Sequence, residues 1–156
     1  MQGWETRVRP AVEGDVAAVV AMVAALAAHH GDVSALTPEG LLRDAFGADP
    51  WVRLLIATRT AAGAACGYAA LTRRVRLQEG LRRMELHHLY VAPGQRGLGL
   101  GRALVTASAA VALGLGCDRL SVGTDPDNLA AQGFYRGCGF RRLDTFPPMF
   151  ALDLAG

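Results

Sequence analysis

The chain has 156 residues, 51% of them apolar and 19% charged, and a formal net charge of +2 at pH 7. That length fits one domain, residues 1–156, able to bury its own core, and the composition excludes a disordered chain. So small a positive excess argues against nucleic acid as a partner. The longest apolar run, residues 16–28, is too short to span a bilayer, and residues 1–5 lack the basic flank and apolar core of an export signal, so no membrane partner and a cytoplasmic location are expected.

Residues 6–9 read as a short strand ended by Pro10. Gly14-Asp15 opens a helix in which Val16, Val19, Val20, Val23, Leu26 and Ala27 recur at helical spacing, and Gly31-Asp32 stops it. Thr37 caps a second helix with Pro38 in its first turn, Leu41, Leu42, Ala45 and Phe46 on its apolar face, and Gly47 after it. Residues 52–58 and 66–76 flank a turn and form a hairpin; a further turn leads into a fourth strand over 81–91. A helix follows over about 99–114, burying Leu104, Val105, Ser108, Val111, Ala112 and Leu115. A fifth strand over 119–124, a short helix capped by Asp127 or Asn128, and closing strands over 140–144 and 149–154 complete the chain.

Cys66, Cys117 and Cys138 have no metal-type spacing and are expected as reduced, mostly buried thiols. The arginines at 73, 74, 76, 82 and 83 lack interleaved aromatics, which favours a solvated hairpin over a nucleic-acid patch.

The segment from Arg96 to Arg102, Arg-Gly-Leu-Gly-Leu-Gly-Arg, carries the strongest functional signal. Bare amides at a helix start hold a partial positive charge, and glycines at 97, 99 and 101 leave room for an anion. An NTPase phosphate loop would need a lysine, and the chain has none. A dinucleotide fingerprint fails in both registers, because its last glycine slot is Arg102 or Leu104. The plainer alternative is that small residues allow close helix-strand packing.

What remains, Arg96-x-x-Gly99-x-Gly101 after an apolar strand, resembles the acetyl-CoA motif of the GNAT superfamily of N-acetyltransferases, Gln/Arg-x-x-Gly-x-Gly/Ala. A second segment, from Asn128 through Ala131 and Phe134-Tyr135 to Gly139-Phe140, resembles that family's later signature. The resemblance implies the acyl-CoA N-acyltransferase fold: an α/β (α+β) architecture with a mixed, mostly antiparallel sheet of six to seven strands, about four helices, and strands four and five splayed apart. It also implies acetyl-CoA as cosubstrate, a small-molecule amine as acceptor, and a homodimer by family analogy; no metal is expected, because no Cys or carboxylate spacing completes a site with the pairs His29-His30 and His87-His88.

Site residues follow from the same resemblance. Backbone groups of Leu89, Tyr90 and Val91 would bind the pantetheine arm and polarise the thioester carbonyl. Arg96, Gly97, Leu98, Gly99, Leu100, Gly101 and Arg102 would hold the pyrophosphate. Asn128, with Ala131 and Phe134 on its helix, would contact the pantetheine region, although Asn128 also fits simple capping and Phe134 core packing. Tyr135 matches the tyrosine that protonates the leaving thiolate. Glu85 and His87 both match places where family members carry the general base, and the choice between them stays open.

Strand alternation puts Glu85, His87 and Leu89 on one face and His88 on the other, so the adjacent histidines are expected to point apart. Glu85 equally fits a surface ion pair with Arg82 or Arg83. Residues 36–47, with Tyr90-Val91 and Arg96-Gly97, look like the spermidine/spermine and thialysine acetyltransferase branch. Polyamine-acetylating relatives carry acids at the places of His87 and His88. Here the acceptor side offers His88 and one acid, Asp32, which disfavours a long polycation. Two other readings of the same fold are a non-catalytic acyl-CoA sensor and an acetyltransferase acting on a protein or peptide amine.

Overall fold

Four strands of alternating or continuous apolar character line up in chain order, and the fifth joins them only after a helical crossover. The computed structural model describes residues 7–143 together with Pro148 and Leu152. β1 (Arg7–Pro10), β2 (Arg53–Thr58), β3 (Ala65–Arg76) and β4 (Leu81–Val91) are antiparallel neighbours. β5 (Arg119–Val122) lies parallel to β4. A parallel pair cannot be joined by a tight turn, and the connection is made by helix α3 (Leu100–Gly114).

The sheet is covered on both faces, which explains why β2 and the first half of β3 are buried almost residue by residue. On one face Leu54, Ile56, Tyr68, Ala70 and Tyr90 pack with Val16, Val19 and Met22 of α1 (Val16–His29) and Leu41 of α2 (Pro38–Phe46). On the other, α3 runs across β2, β3 and β4 and buries Leu104, Val105, Ser108 and Ala112. Ser108 satisfies its hydroxyl on the Leu104 carbonyl at 2.7 Å. Gly67 of β3 is closely approached by β4 and α3: a Cβ there would sit 2.7 Å from the Tyr90 carbonyl oxygen and 3.4 Å from Leu104.

Local signals were well expressed. Thr37 accepts the Gly40 amide at 3.1 Å, with Pro38 opening α2 as expected. Asp15 does more than open α1: it receives Arg9 in a two-pronged ion pair at 2.7 and 2.9 Å and the Val12 amide at 2.8 Å. Those contacts tie β1 to the start of the first helix.

β4 departs from simple alternation. Ala70 pairs with His88 but Leu71 pairs with Leu86, so His87 is an extra residue, a β-bulge. Beyond it the parity reverses. Leu89 pairs with Ala69 on the α3 face, while His88 joins Tyr68 and Tyr90 on the α1 face. Pairing with β5 stops at Leu86–Val122, so residues 87–91 run on past the end of their neighbour. The expected splay of strands four and five is therefore present. The expected grouping of Glu85, His87 and Leu89 on one face is corrected by the bulge.

One compact unit of the chain ends at Gly123 and a second begins at Thr124. In the second, α4 (Leu129–Gly137) starts at an Asn128 cap and half-buries Ala131, Phe134, Tyr135 and the following Cys138. The sheet has five strands among the described residues rather than six or seven. Of the two closing strands expected, the described part, residues 140–143, forms none, and most of the rest lies outside the described residues. Among the described residues no helix is long and apolar enough to cross a membrane.

Candidate active site

The glycine segment sits where β4 hands the chain to α3. A short turn, Pro93–Gln95, reverses direction, and Arg96 then donates its Nε–H to the Val91 carbonyl at 2.9 Å. Arg59 adds a second tie, to the Gln95 side chain at 3.2 Å. Gly97 and Gly99 both adopt left-handed backbone, at φ 78° and 84°, a conformation that costs other residues about 1–2 kcal/mol. A Cβ at either would meet no protein atom within 4 Å. Close helix-strand packing is therefore not why these two are glycine. Conformation demands them, and the space above the loop is left open.

Gly99 is the residue before α3, whose first i→i−4 bond runs from the Ala103 amide to the Gly99 carbonyl. The amides of Leu100 and Gly101 precede that bond and carry the positive end of the helix dipole. These amides could hold a phosphate, and Arg102, an exposed residue, stands on the same first turn. Leu98 is half exposed, but the Leu100 side chain is buried in the core and can contribute only its backbone. Tyr90 is likewise a core side chain.

The bulge gathers the titratable groups at the splayed end of β4. The His87 and His88 rings are stacked, 4.3 Å apart and 13° from parallel, rather than pointing to opposite faces. The extra residue breaks the alternation that would have separated them. Nδ1 of His88 lies 3.0 Å from the hydroxyl of Tyr68, which is fully buried. Burial first, and then the neighbouring His87 and His30, push His88 down to about 4, so it is neutral at physiological pH. Burial raises the Tyr68 hydroxyl well above its ordinary value, with Tyr90 adding to the shift. No group of three or more His, Cys, Asp or Glu that could hold a metal ion occurs among the described residues.

Glu85 is half-buried and does form an ion pair, though with Arg74 on β3 at 3.3 Å and not with Arg82 or Arg83. Arg74 stands diagonal to it, because Glu85 pairs with Thr72 and Arg74 with Arg83. Asp32 is exposed in the turn after α1 and accepts the Val33 amide at 2.8 Å. Tyr68 was not singled out from the sequence, and His30 only as half of the His29-His30 pair weighed for metal. Tyr68 reads there as one more core residue of an apolar strand, and the pairing that aims its hydroxyl at His88 is a matter of register.

In the second unit, Asn128 accepts the Ala131 amide at 3.1 Å, so the capping role holds. Tyr135 packs edge-on between Phe134 and Phe140, with ring centroids 5.2 and 5.4 Å away. Burial, helped by Cys138, lifts its hydroxyl to about 12. Tyr135 thus stays protonated across the physiological range.

Comparison with known proteins agrees with this geometry. The model of the Acetyltransferase (GNAT) family matches residues 20–140. The chain is 39% identical over 142 residues to a mycothiol acetyltransferase of Kineococcus radiotolerans, covering 88% of this chain but 43% of that protein. The chain thus spans less than half the length of this relative. It is 28% identical to a thialysine N-epsilon-acetyltransferase of Bos taurus, over 87% of this chain and 84% of that one. Among solved structures, an integron cassette protein from the mobile metagenome of V. cholerae superposes with a TM-score of 0.77 at 19% identity, covering 97% of this chain and 95% of that one. An aminoglycoside acetyltransferase from an uncultured soil metagenomic sample superposes with a TM-score of 0.78 at 15% identity, covering 95% and 97%. At such identities these two speak for the fold alone. With the family model matching most of the chain, from α1 through the glycine loop to Phe140, the protein belongs to the Acetyltransferase (GNAT) family.

Proposed function

We propose that the chain is an acetyl-CoA-dependent N-acetyltransferase that moves the acetyl group to a primary amine of a small molecule by direct attack in a ternary complex. The observation that carries this reading is the glycine loop: two left-handed glycines with open space above them, at the amide end of a helix, directly after a splayed strand. Both compact units belong to one catalytic domain in this reading. The family match, which runs across the boundary at 123/124, supports that.

The loop from Arg96 to Arg102 binds the CoA pyrophosphate through amides, the helix dipole and a guanidinium. Backbone groups at the end of β4, freed from β5, bind the pantetheine and place an N–H toward the carbonyl oxygen, where charge develops during attack. An amine with an ordinary pKa near 10 is almost wholly protonated at pH 7, so a base at Glu85 or His87 must take its proton first. Tyr135 donates a hydrogen bond to the departing sulfur. A thiol near 8.5 is a stronger acid than this tyrosine, so complete transfer is uphill by roughly 5 kcal/mol and the proton follows from solvent as the product leaves.

The relatives named for thialysine and mycothiol favour a small acceptor over a protein one. Imidazoles rather than carboxylates crowd the end of β4, which favours a compact or weakly basic amine over a polyamine. The test is purified protein with acetyl-CoA and a panel of amino acids, thialysine, aminothiol glycosides, arylamines, spermidine and a lysine peptide, followed by release of free thiol. Thiol release with a small amine bears the reading out. Tight CoA binding with no amine-dependent thiol release would instead identify a sensor, and release with the peptide alone would identify a protein acetyltransferase.

A further inference from the structure

The bulge on β4 places three groups in series. Tyr68, on the α1 face of β3, is fully buried; His88 on the same face shares one hydrogen bond with it; His87, exposed, lies flat on His88. A buried hydroxyl needs an acceptor for its proton, and among the described residues the partner of the Tyr68 hydroxyl is Nδ1 of His88. If Nδ1 carried the hydrogen, the Tyr68 proton would have nowhere to go. The network therefore assigns Tyr68 as donor and His88 as the neutral ring with its hydrogen on Nε2.

We propose that Tyr68 and His88 are positioning residues for His87, fixing through one hydrogen bond and one ring stack the orientation in which His87, rather than Glu85, takes the proton of the acceptor amine. This rests on the acetyltransferase reading above. In the step, the ammonium group of the acceptor loses one proton to the unprotonated nitrogen of His87. The freed lone pair forms the N–C bond as the C–S bond breaks to thiolate, and the His87 proton then leaves to solvent.

Three observations favour His87 over Glu85. Glu85 is already engaged by Arg74, so an amine must compete with a guanidinium for it. His87 is the bulged residue at the point where β5 stops pairing, on the stretch of β4 that runs past its neighbour. Its stacking partner is kept uncharged chiefly by burial, so His87 does not face a second cation at 4.3 Å when it accepts a proton. The groups facing His88 are Tyr68 of β3, His87 of β4 and His30 after α1, while Tyr90, against Tyr68, and Glu85 with its partner Arg74 lie on the same face of the sheet. His30 is edge-on to His29 at 5.5 Å.

The test compares the wild type with Tyr68→Phe, His87→Ala and the double variant, measuring kcat/KM against pH with an acceptor from the amine panel. A base must be unprotonated, so the wild-type rate rises with pH along an acid limb. We expect His87→Ala to lose that limb and about 10²-fold in rate. Tyr68→Phe should lose on the order of tenfold in the wild type and nothing further in the His87→Ala background. An equal loss in both backgrounds would show that Tyr68 serves the fold alone, and an acid limb that survives His87→Ala would return the base to Glu85; either overturns the proposal while leaving the acetyltransferase reading intact. A substrate-free arm uses nitrogen-15 NMR of the imidazoles, with the Nε2–H form of His88 expected in the wild type and protonation at higher pH in Tyr68→Phe. An Nδ1–H or charged His88 at neutral pH overturns it. If no amine at all yields thiol, the acetyltransferase reading fails and takes the base role with it, whatever the NMR shows.

Discussion

Arg96 donates its Nε–H to the Val91 carbonyl across 2.9 Å, tying the glycine loop back to the final residue of β4. That bond, with the one from Arg59 to Gln95, ties the loop proposed to hold the pyrophosphate to the strand proposed to hold the pantetheine. An arginine in this motif has then a structural task as well as its charge.

Breaking the loop's conformation should hurt CoA first. Gly99→Ala forces a side chain into backbone at φ 84°, at a cost of about 1–2 kcal/mol that the open space around it does nothing to worsen. The expected result is a KM for acetyl-CoA raised on the order of tenfold, with KM for the amine little changed. Arg96→Ala should act the same way. Steady-state kinetics in both substrates checks this.

Gly67 tests a different requirement. Its backbone is ordinary, but a Cβ would lie 2.7 Å from the Tyr90 carbonyl and 3.4 Å from Leu104. Gly67→Ala must push β4 or α3 away, and overpacking of this kind costs about 1–3 kcal/mol. Urea denaturation should show a lower midpoint with an unchanged slope.

Tyr135→Phe removes a donor without changing packing between Phe134 and Phe140. We expect kcat to fall about 10²-fold with CoA affinity unchanged, measured by calorimetry. Since the hydroxyl titrates at about 12, the wild-type rate should show no fall from its deprotonation as pH rises to about 10.

Asp15 should give the fold an acid-sensitive contribution. Its carboxylate, beside Arg9, titrates below the ordinary range when folded. A depressed folded pKa means stabilisation that is complete above the unfolded value, about 3.9, and is lost as pH falls through the folded one. Asp15→Asn should cost about 1–3 kcal/mol at pH 7. The gap to wild type should narrow in unfolding curves taken at pH 3.

Much of this was legible in the chain. Helical spacing from Val16 to Leu26, Thr37-Pro38 before α2 and Asn128 before α4 are local signals, and the local structure obeyed them. The turn and helix start from Arg96 to Gly101 were equally readable, because left-handed glycines before a helix are a local signal that needs no distant partner. What failed was the reading of residues 85–89. Alternation assumes an unbroken ladder, and nothing in Glu-Leu-His-His-Leu announces that His87 is a surplus residue.

Composition and local spacing were thus enough for the order of elements from β1 to α4, the glycine loop and the family resemblance, since each depends on contacts within a few residues. Pairing between β3 and β4 decided the rest. Register across strands moved His88 to the Tyr68 side, stacked His87 upon it and gave Glu85 to Arg74. A one-residue slip in a ladder turns every later side chain to the opposite face, and such a slip is set by the partner strand, not by the strand that carries it.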